Sequence, residues 1–86
     1  MFNIILSANA EKVYLSLDNK TAGSVNTAFD ILSENPYNGK NIKKLKGKLN
    51  GLYRFRIGIY RIVYSIDKEI KIVSIIWIGK RKDIYK

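Results

Sequence analysis

The segment LYRFRIGIYRIVY, residues 52–64, constrains the fold most, because apolar and polar residues alternate on both sides of a single glycine. This alternation is typical of β-strands, in which successive side chains point to opposite faces. Gly58 allows a tight turn between two such strands. A hairpin that turns both apolar sets toward the core must carry its arginines on the other face. These arginines are Arg54, Arg56 and Arg61.

The flanking sequence predicts two more strands and two helices. Residues 2–6 and 70–78 are short apolar runs with β-branched side chains, which favours strands. Between them, apolar residues recur at three- and four-residue spacing, once after Ser7 and again after Thr21. Each of these two hydroxyl residues is predicted to cap a helix, and Pro36 closes the second helix.

The order of these elements predicts an α+β fold for a single domain, residues 1–86. We expect a β-α-α-β-β-β order, with the helical hairpin packed on one face of a mostly antiparallel four-stranded sheet. Residues 42–45 are predicted to form a short strand or a turn. The opposite face of the sheet would be basic. Strict alternation along the last strand would place Arg81 on the face of Val73 and Ile75, together with the hairpin arginines.

The chain contains no cysteine and no histidine. It therefore lacks thiolate and imidazole ligands for zinc, and it lacks the base of a Ser-His or Cys-His nucleophile. Any chemistry must use lysine, arginine, tyrosine or a few carboxylates. The N-terminal sequence predicts neither a secretory signal nor a membrane span, and the lack of cysteine agrees with a cytoplasmic protein.

The net charge of +9 is concentrated in the second half of the chain. Residues 1–39 hold two basic and four acidic side chains, whereas residues 40–86 hold fourteen basic and three acidic ones. A polyanionic partner is the simplest interpretation, and a basic face that only keeps the protein soluble is the alternative. The lysines predicted to contact nucleic acid, or to form a solvated surface instead, are Lys43, Lys44, Lys46, Lys48, Lys80 and Lys82.

Three motifs in this order resemble the RelE-family toxins, within the RelE/ParE superfamily of bacterial and archaeal toxin-antitoxin systems. They are LKG, the hairpin pattern Y-R-x-R-x-G-x-Y-R-x-x-Y, and the terminal pattern G-K-R-x-x-x-Y. The resemblance implies a ribosome-dependent endoribonuclease that enters the vacant A site and cleaves messenger RNA without a metal. In that reaction the 2′-hydroxyl of the message attacks the adjacent phosphate and leaves a 2′,3′-cyclic phosphate.

The resemblance also implies a catalytic role for individual residues. Arg54 and Arg56 occupy positions that are often lysine in the family, and arginine there is expected to act electrostatically because it stays protonated. Arg61 matches a phosphate-contacting arginine, and Arg81 matches one assigned to transition-state stabilisation or leaving-group protonation. Tyr85 matches a tyrosine that stacks on or deprotonates the nucleotide. We assign Tyr85 as the base, since nearby cations favour its ionised form.

The partners implied by the resemblance are a cognate acidic antitoxin that is partly disordered, the ribosome and messenger RNA. The toxin alone is expected to be monomeric and to form a higher-order complex with the antitoxin. Two alternatives remain open at this point. One is a ParE-like toxin that poisons DNA gyrase, and the other is a noncatalytic basic RNA-binding domain.

Overall fold

A computed structural model describes residues 1–80 and confirms the α+β architecture. Its elements are β1 (Asn3–Leu6), α1 (Ala8–Ser16), α2 (Asn19–Glu34), β2 (Ile42–Lys44), a 3-10 turn (Gly47–Leu49), β3 (Tyr53–Ile57), β4 (Tyr60–Asp67) and β5 (Ile72–Lys80). The segment predicted as a short strand or turn forms β2, so the sheet has five strands and not the four that were predicted. Both helices pack on one face of that sheet.

The strands lie in the order β1-β5-β4-β3-β2. Neighbouring strands are antiparallel except β1 and β5, which are parallel. The β3–β4 hairpin has Arg56 opposite Arg61, and its two-residue turn starts at Gly58 with a φ of 55°. A glycine of positive φ at the first turn position is the pattern of a type II′ hairpin turn. The hairpin predicted from the alternation of residues 52–64 is therefore confirmed.

The two helices begin at polar caps, one of which differs from the prediction. Ser7 caps α1 as predicted, since its hydroxyl accepts a hydrogen bond from the Ala10 N–H at 3.1 Å. The prediction of Thr21 as the second cap is wrong, because Asp18 caps α2 and accepts from the Thr21 N–H at 2.8 Å. A carboxylate at this position also interacts favourably with the helix dipole. Hydrogen bonds from the side chain and backbone of Thr21 lower the pKa of the Asp18 carboxyl.

Within residues 1–80, no helix combines the length and the apolarity needed to cross a membrane.

The core lies between the helices and the facing side of the sheet. Tyr64 is its largest fully buried side chain. The Tyr64 hydroxyl donates to the Pro36 carbonyl at 2.8 Å, and its ring stacks on Tyr53 with 5.6 Å between centroids. The buried residues of the core are Ala10, Val25, Ala28, Leu32, Phe55, Ile62, Tyr64, Val73, Ile75 and Ile78.

Burial of Tyr64 is expected to make stability fall at high pH. Burial raises the pKa of the Tyr64 hydroxyl above its ordinary 10.0, and neighbouring Tyr53 raises it further. Above about pH 10.0, the Tyr64 hydroxyl loses its proton in the unfolded chain but keeps it in the folded protein. The free energy of unfolding should therefore fall by up to about 1.4 kcal/mol per pH unit from this group. We expect the free energy of unfolding, measured by urea denaturation between about pH 9 and 11, to fall less steeply with pH in Tyr64→Phe than in the wild type. An equal pH dependence of the two proteins would contradict this assignment.

A β-bulge in β5 changes which of its residues face the arginines. Val63 lies opposite Trp77 but Tyr64 lies opposite Ile75, so Ile76 is an extra residue on β5. The prediction that Val73 and Ile75 share the arginine-bearing face is wrong, because both are fully buried in the core. Beyond the bulge, the alternation of side chains is shifted by one residue, so Trp77 lies on the arginine-bearing face. Arg81, whose predicted position depended on the same alternation, lies outside the described residues.

Candidate nucleic-acid interface

The sheet face opposite the helices carries a group of cations near the β3–β4 turn. The strand register places Lys43 opposite Arg54, and Arg56 opposite Arg61. We call this group of four residues the arginine face. The shared face predicted for the three arginines is thus confirmed, and β2 adds a lysine to it. Like charges directly opposite on paired strands repel each other, so this arrangement favours an anionic ligand.

Arg54 and Arg56, which we call the outer arginines, are not neutralised by any carboxylate within residues 1–80. Arg56 is exposed and Arg54 is partly buried, and within residues 1–80 neither of them forms an ion pair. The acidic residue at the far end of β4, Asp67, lies six residues from Arg61, or about 20 Å along an extended strand. Its carboxylate accepts hydrogen bonds from the backbone N–H groups of Glu69 and Ile70. The positive potential around Arg54 and Arg56 is therefore available to a ligand.

Arg61 differs from the other two arginines because it is only 5% exposed. Its Nη1 donates to the carbonyl oxygens of Gly58 at 3.1 Å and Tyr60 at 2.9 Å. The guanidinium is thereby fixed against the hairpin turn. The alternation of the sequence predicted the face of Arg61, but it carried no signal for these hydrogen bonds.

Arg61→Ala is expected to lower the free energy of unfolding by about 1.5–3 kcal/mol, because it removes hydrogen bonds from a charged donor to the turn carbonyls. Chemical denaturation measures this effect. Arg56→Ala provides a matched control, since it removes the same charge from an exposed position of the same face. Equal stability of the two variants would show that Arg61 does not hold the turn.

The structure divides the predicted lysines among several surfaces. Lys43 belongs to the arginine face, whereas Lys44 pairs with Tyr53 and lies on the helix-facing side. Lys80 pairs with Tyr60 beyond Ile78, also on the helix-facing side. Lys46 and Lys48 are exposed at the 3-10 turn. The lysines therefore surround the hairpin instead of forming one patch. Lys82 and Tyr85 lie outside the described residues.

Arg56 and Arg61 also border an open groove between α2 and the β3–β4 hairpin. The groove has a volume of about 680 Å³ and is lined by both Arg56 and Arg61. Much of its lining is apolar, including Ala28, Ile31 and Phe55. Among the residues that the structure describes, no cluster of three carboxylates is placed to hold a metal ion.

Strict alternation along the last strand gave Trp77 the same parity as Arg81, but sequence reasoning assigned Trp77 no role in this surface. Trp77 is partly exposed and lies in register with Val63, whose other neighbour is Arg54. A Cβ atom at position 79 would overlap the six-membered ring of Trp77, so Gly79 leaves room for the indole to cover it. The W-x-G spacing was a usable signal, since residues two apart in a strand share a face.

Comparison with known proteins agrees with these features. A family model described as the ParE toxin of the type II toxin-antitoxin system, parDE, matches residues 4–85. Toxin RelE of Mycobacterium tuberculosis is 34% identical over 86 residues, which cover 99% of this chain and 87% of that protein. Toxin RelG of the same organism is 38% identical over 65 residues, which cover 76% of this chain and 72% of that protein.

Solved structures show the same fold. The toxin-antitoxin complex RelBE2 of M. tuberculosis superposes with a TM-score of 0.80 at 28% identity, covering 93% of this chain and 98% of that chain. The archaeal RelE-RelB complex of Pyrococcus horikoshii has a TM-score of 0.80 at 27% identity, covering 93% and 94%. The resemblance to RelE toxins found in the sequence motifs is thus confirmed. The chain belongs to the RelE/ParE family of toxins from type II toxin-antitoxin systems.

Proposed function

We propose that this toxin is a ribosome-dependent endoribonuclease that cleaves messenger RNA in the ribosomal A site. The observation that carries the proposal is the cross-strand pair of Arg56 and Arg61, flanked by Arg54, on a face where described carboxylates do not neutralise the outer arginines. Three cations on adjacent strands suit a phosphate group, because the planar guanidinium donates two hydrogen bonds to it. The identity to Toxin RelE over nearly the whole chain supports the same proposal.

The chemistry we propose is an in-line attack by the RNA on itself. The 2′-oxygen forms a bond to the adjacent phosphorus while the bond from phosphorus to the 5′-oxygen breaks. The products are a 2′,3′-cyclic phosphate and a 5′-hydroxyl end. The proton of the 2′-hydroxyl passes to the phenolate of Tyr85. The departing 5′-oxygen takes a proton from water, while the Arg81 guanidinium stabilises the negative charge that develops on it.

The arginine face would contribute electrostatic stabilisation. Negative charge accumulates on the phosphate oxygens in the transition state, and cations that are already in place stabilise it without reorganising. Arg61 fits this role because its hydrogen bonds to Gly58 and Tyr60 hold the guanidinium in position. Arg54 and Arg56 supply charge but cannot exchange protons near neutral pH. Together these arginines can neutralise the pentacoordinate phosphate, so we propose a reaction that needs no metal.

The partners we propose are an acidic antitoxin, the ribosome and messenger RNA. Structures of the relatives from M. tuberculosis and P. horikoshii are toxin-antitoxin complexes. A net charge of +9 favours an acidic inhibitor, and a partly disordered segment can wrap a large basic surface. We propose that the toxin is a monomer alone and joins the antitoxin in a higher-order complex. Action on translating ribosomes would place it in the cytoplasm.

A second candidate function is poisoning of DNA gyrase, which is favoured by the ParE description of the matching family model. Induced expression in bacteria without antitoxin, followed by mapping of RNA 5′ ends, separates the two. Ends with a 5′-hydroxyl inside translated codons, with intact DNA, are expected for the ribonuclease. DNA damage without such ends would identify the gyrase poison. Normal growth with intact RNA and DNA would contradict both.

A further inference from the structure

Trp77 extends the arginine face across the sheet. One row of paired residues runs Lys43, Arg54, Val63 and Trp77 from β2 to β5. The neighbouring row runs Arg56, Arg61 and Gly79. Because the six-membered ring of Trp77 covers Gly79, the indole lies at the β5 end of both rows. It lies two strand spacings from Arg56, which is about 10 Å across the sheet.

The surroundings of this indole differ from those of a core tryptophan. The buried cluster formed by the helices and the sheet lies on the opposite face and does not include Trp77. Instead the ring lies over a residue without a side chain and keeps part of its surface exposed. A flat aromatic surface beside backbone-binding cations is the arrangement that proteins use to hold single-stranded nucleic acid.

We propose that Trp77 is a stacking platform for a nucleobase of the RNA whose phosphate is held by the arginine face. This inference rests on the proposed function, because RNA is the ligand that brings a phosphate and a base to adjacent sites. The arginines bind the phosphate, and the indole binds the attached or neighbouring base through its π-face. Stacking tolerates any base, so Trp77 orients the strand without selecting a sequence.

The single tryptophan of this chain gives a direct measurement of stacking. The probe is a short oligoribonucleotide with 2′-O-methyl groups, which has no free 2′-hydroxyl and cannot be cleaved by the proposed reaction. An abasic oligonucleotide of the same length and charge is the control. We expect the base-bearing probe to quench tryptophan fluorescence and the abasic probe to bind without quenching. Equal quenching by both probes, or no quenching by a bound base-bearing probe, would overturn the platform.

Variants test the same platform through affinity, measured by anisotropy of a labelled probe. Trp77→Leu should weaken binding of the base-bearing probe about 5- to 150-fold, which is the range for loss of one base stack. Binding of the abasic probe and the dependence of affinity on salt should not change, because no charge is removed. Trp77→Tyr should retain most of the affinity. An equal loss for both probes would show a purely structural role.

Gly79→Ala is an independent test that leaves the indole in the protein. Its methyl group must displace the Trp77 ring, so we expect weaker binding of the base-bearing probe. Combining Gly79→Ala with Trp77→Leu should add no further loss, because both changes remove the same platform. Ile70→Ala is the matched control, since it removes an exposed apolar side chain at the far end of the sheet and should change nothing. Additive losses would contradict the coupling.

These outcomes separate the platform from the proposed function. Base-dependent quenching by a protein that leaves translated messages intact would support the platform and contradict the ribonuclease. Normal cleavage by Trp77→Leu, with unchanged affinity for both probes, would overturn the platform and leave the ribonuclease in place. Failure of the wild type to bind either probe at low salt would overturn the platform, whereas the ribonuclease is tested separately by cleavage of translated messages.

Discussion

Arg56→Ala is expected to lower the rate of messenger RNA cleavage about 10²- to 10³-fold, the cost of removing one hydrogen-bond donor from a charged transition state. Arg56 lies opposite Arg61 on the arginine face, and within residues 1–80 it forms no ion pair. Its removal should therefore leave the melting temperature unchanged. Single-turnover cleavage on stalled ribosomes measures the rate, and thermal denaturation measures the stability.

Two further variants sharpen this test. Lys12→Ala removes an exposed positive charge on α1, outside the arginine face, and should leave cleavage unchanged. Arg56→Lys keeps the charge but not the planar fork, so we expect partial recovery relative to alanine. If Lys12→Ala reduced cleavage as much as Arg56→Ala, net charge and not local geometry would explain the effect. A lysine variant faster than the wild type would contradict a purely electrostatic role for residue 56.

Tyr85→Phe is expected to lower cleavage about 10²- to 10⁴-fold, the range for loss of a general base. The phenyl ring keeps any stacking on the nucleotide but cannot accept the proton of the 2′-hydroxyl. In the wild type, a tyrosine acting as base gives a rate that rises with pH as the phenolate forms. The variant should lose this rise. Near-full cleavage by Tyr85→Phe at every pH would remove Tyr85 from the role of base.

The hairpin and the arginine face were predictable because the physical signal is strong and local. Alternation with a period of two fixes the face of every side chain in β3 and β4, and Gly58 marks the turn. The register of Arg56 opposite Arg61 then follows from the length of the turn. A one-residue slip would have buried charged side chains, so the sequence permitted few alternatives.

The course of β5 was not predictable in the same way. Its residues are apolar on both faces toward the C-terminal end, so alternation cannot reveal the extra residue at Ile76. One bulge shifts the alternation by one residue, so Val73 and Ile75 lie in the core, whereas Trp77 lies on the arginine face. The alternation had already given Trp77 the parity of Arg81, but its pairing with Val63 and its position over Gly79 follow only from the strand register.

Two local details were also beyond sequence reasoning. Asp18 and Thr21 can both cap a helix, and the choice between them depends on where the chain leaves α1. The hydrogen bonds of Arg61 depend on the rotamer of a long side chain, which strand alternation does not determine. In both cases the local sequence allows several hydrogen bonds of similar strength, and the tertiary structure determines which of them forms.

The most direct test of the central claim is primer extension on one message, read with and without translating ribosomes. We expect the wild-type protein to cut within codons only when the ribosome carries that codon in the A site, and Arg56→Ala to leave the same message largely intact. Cleavage of naked RNA at an equal rate would contradict ribosome dependence. A translated message that stays whole in the presence of folded toxin would contradict the proposed ribonuclease activity itself.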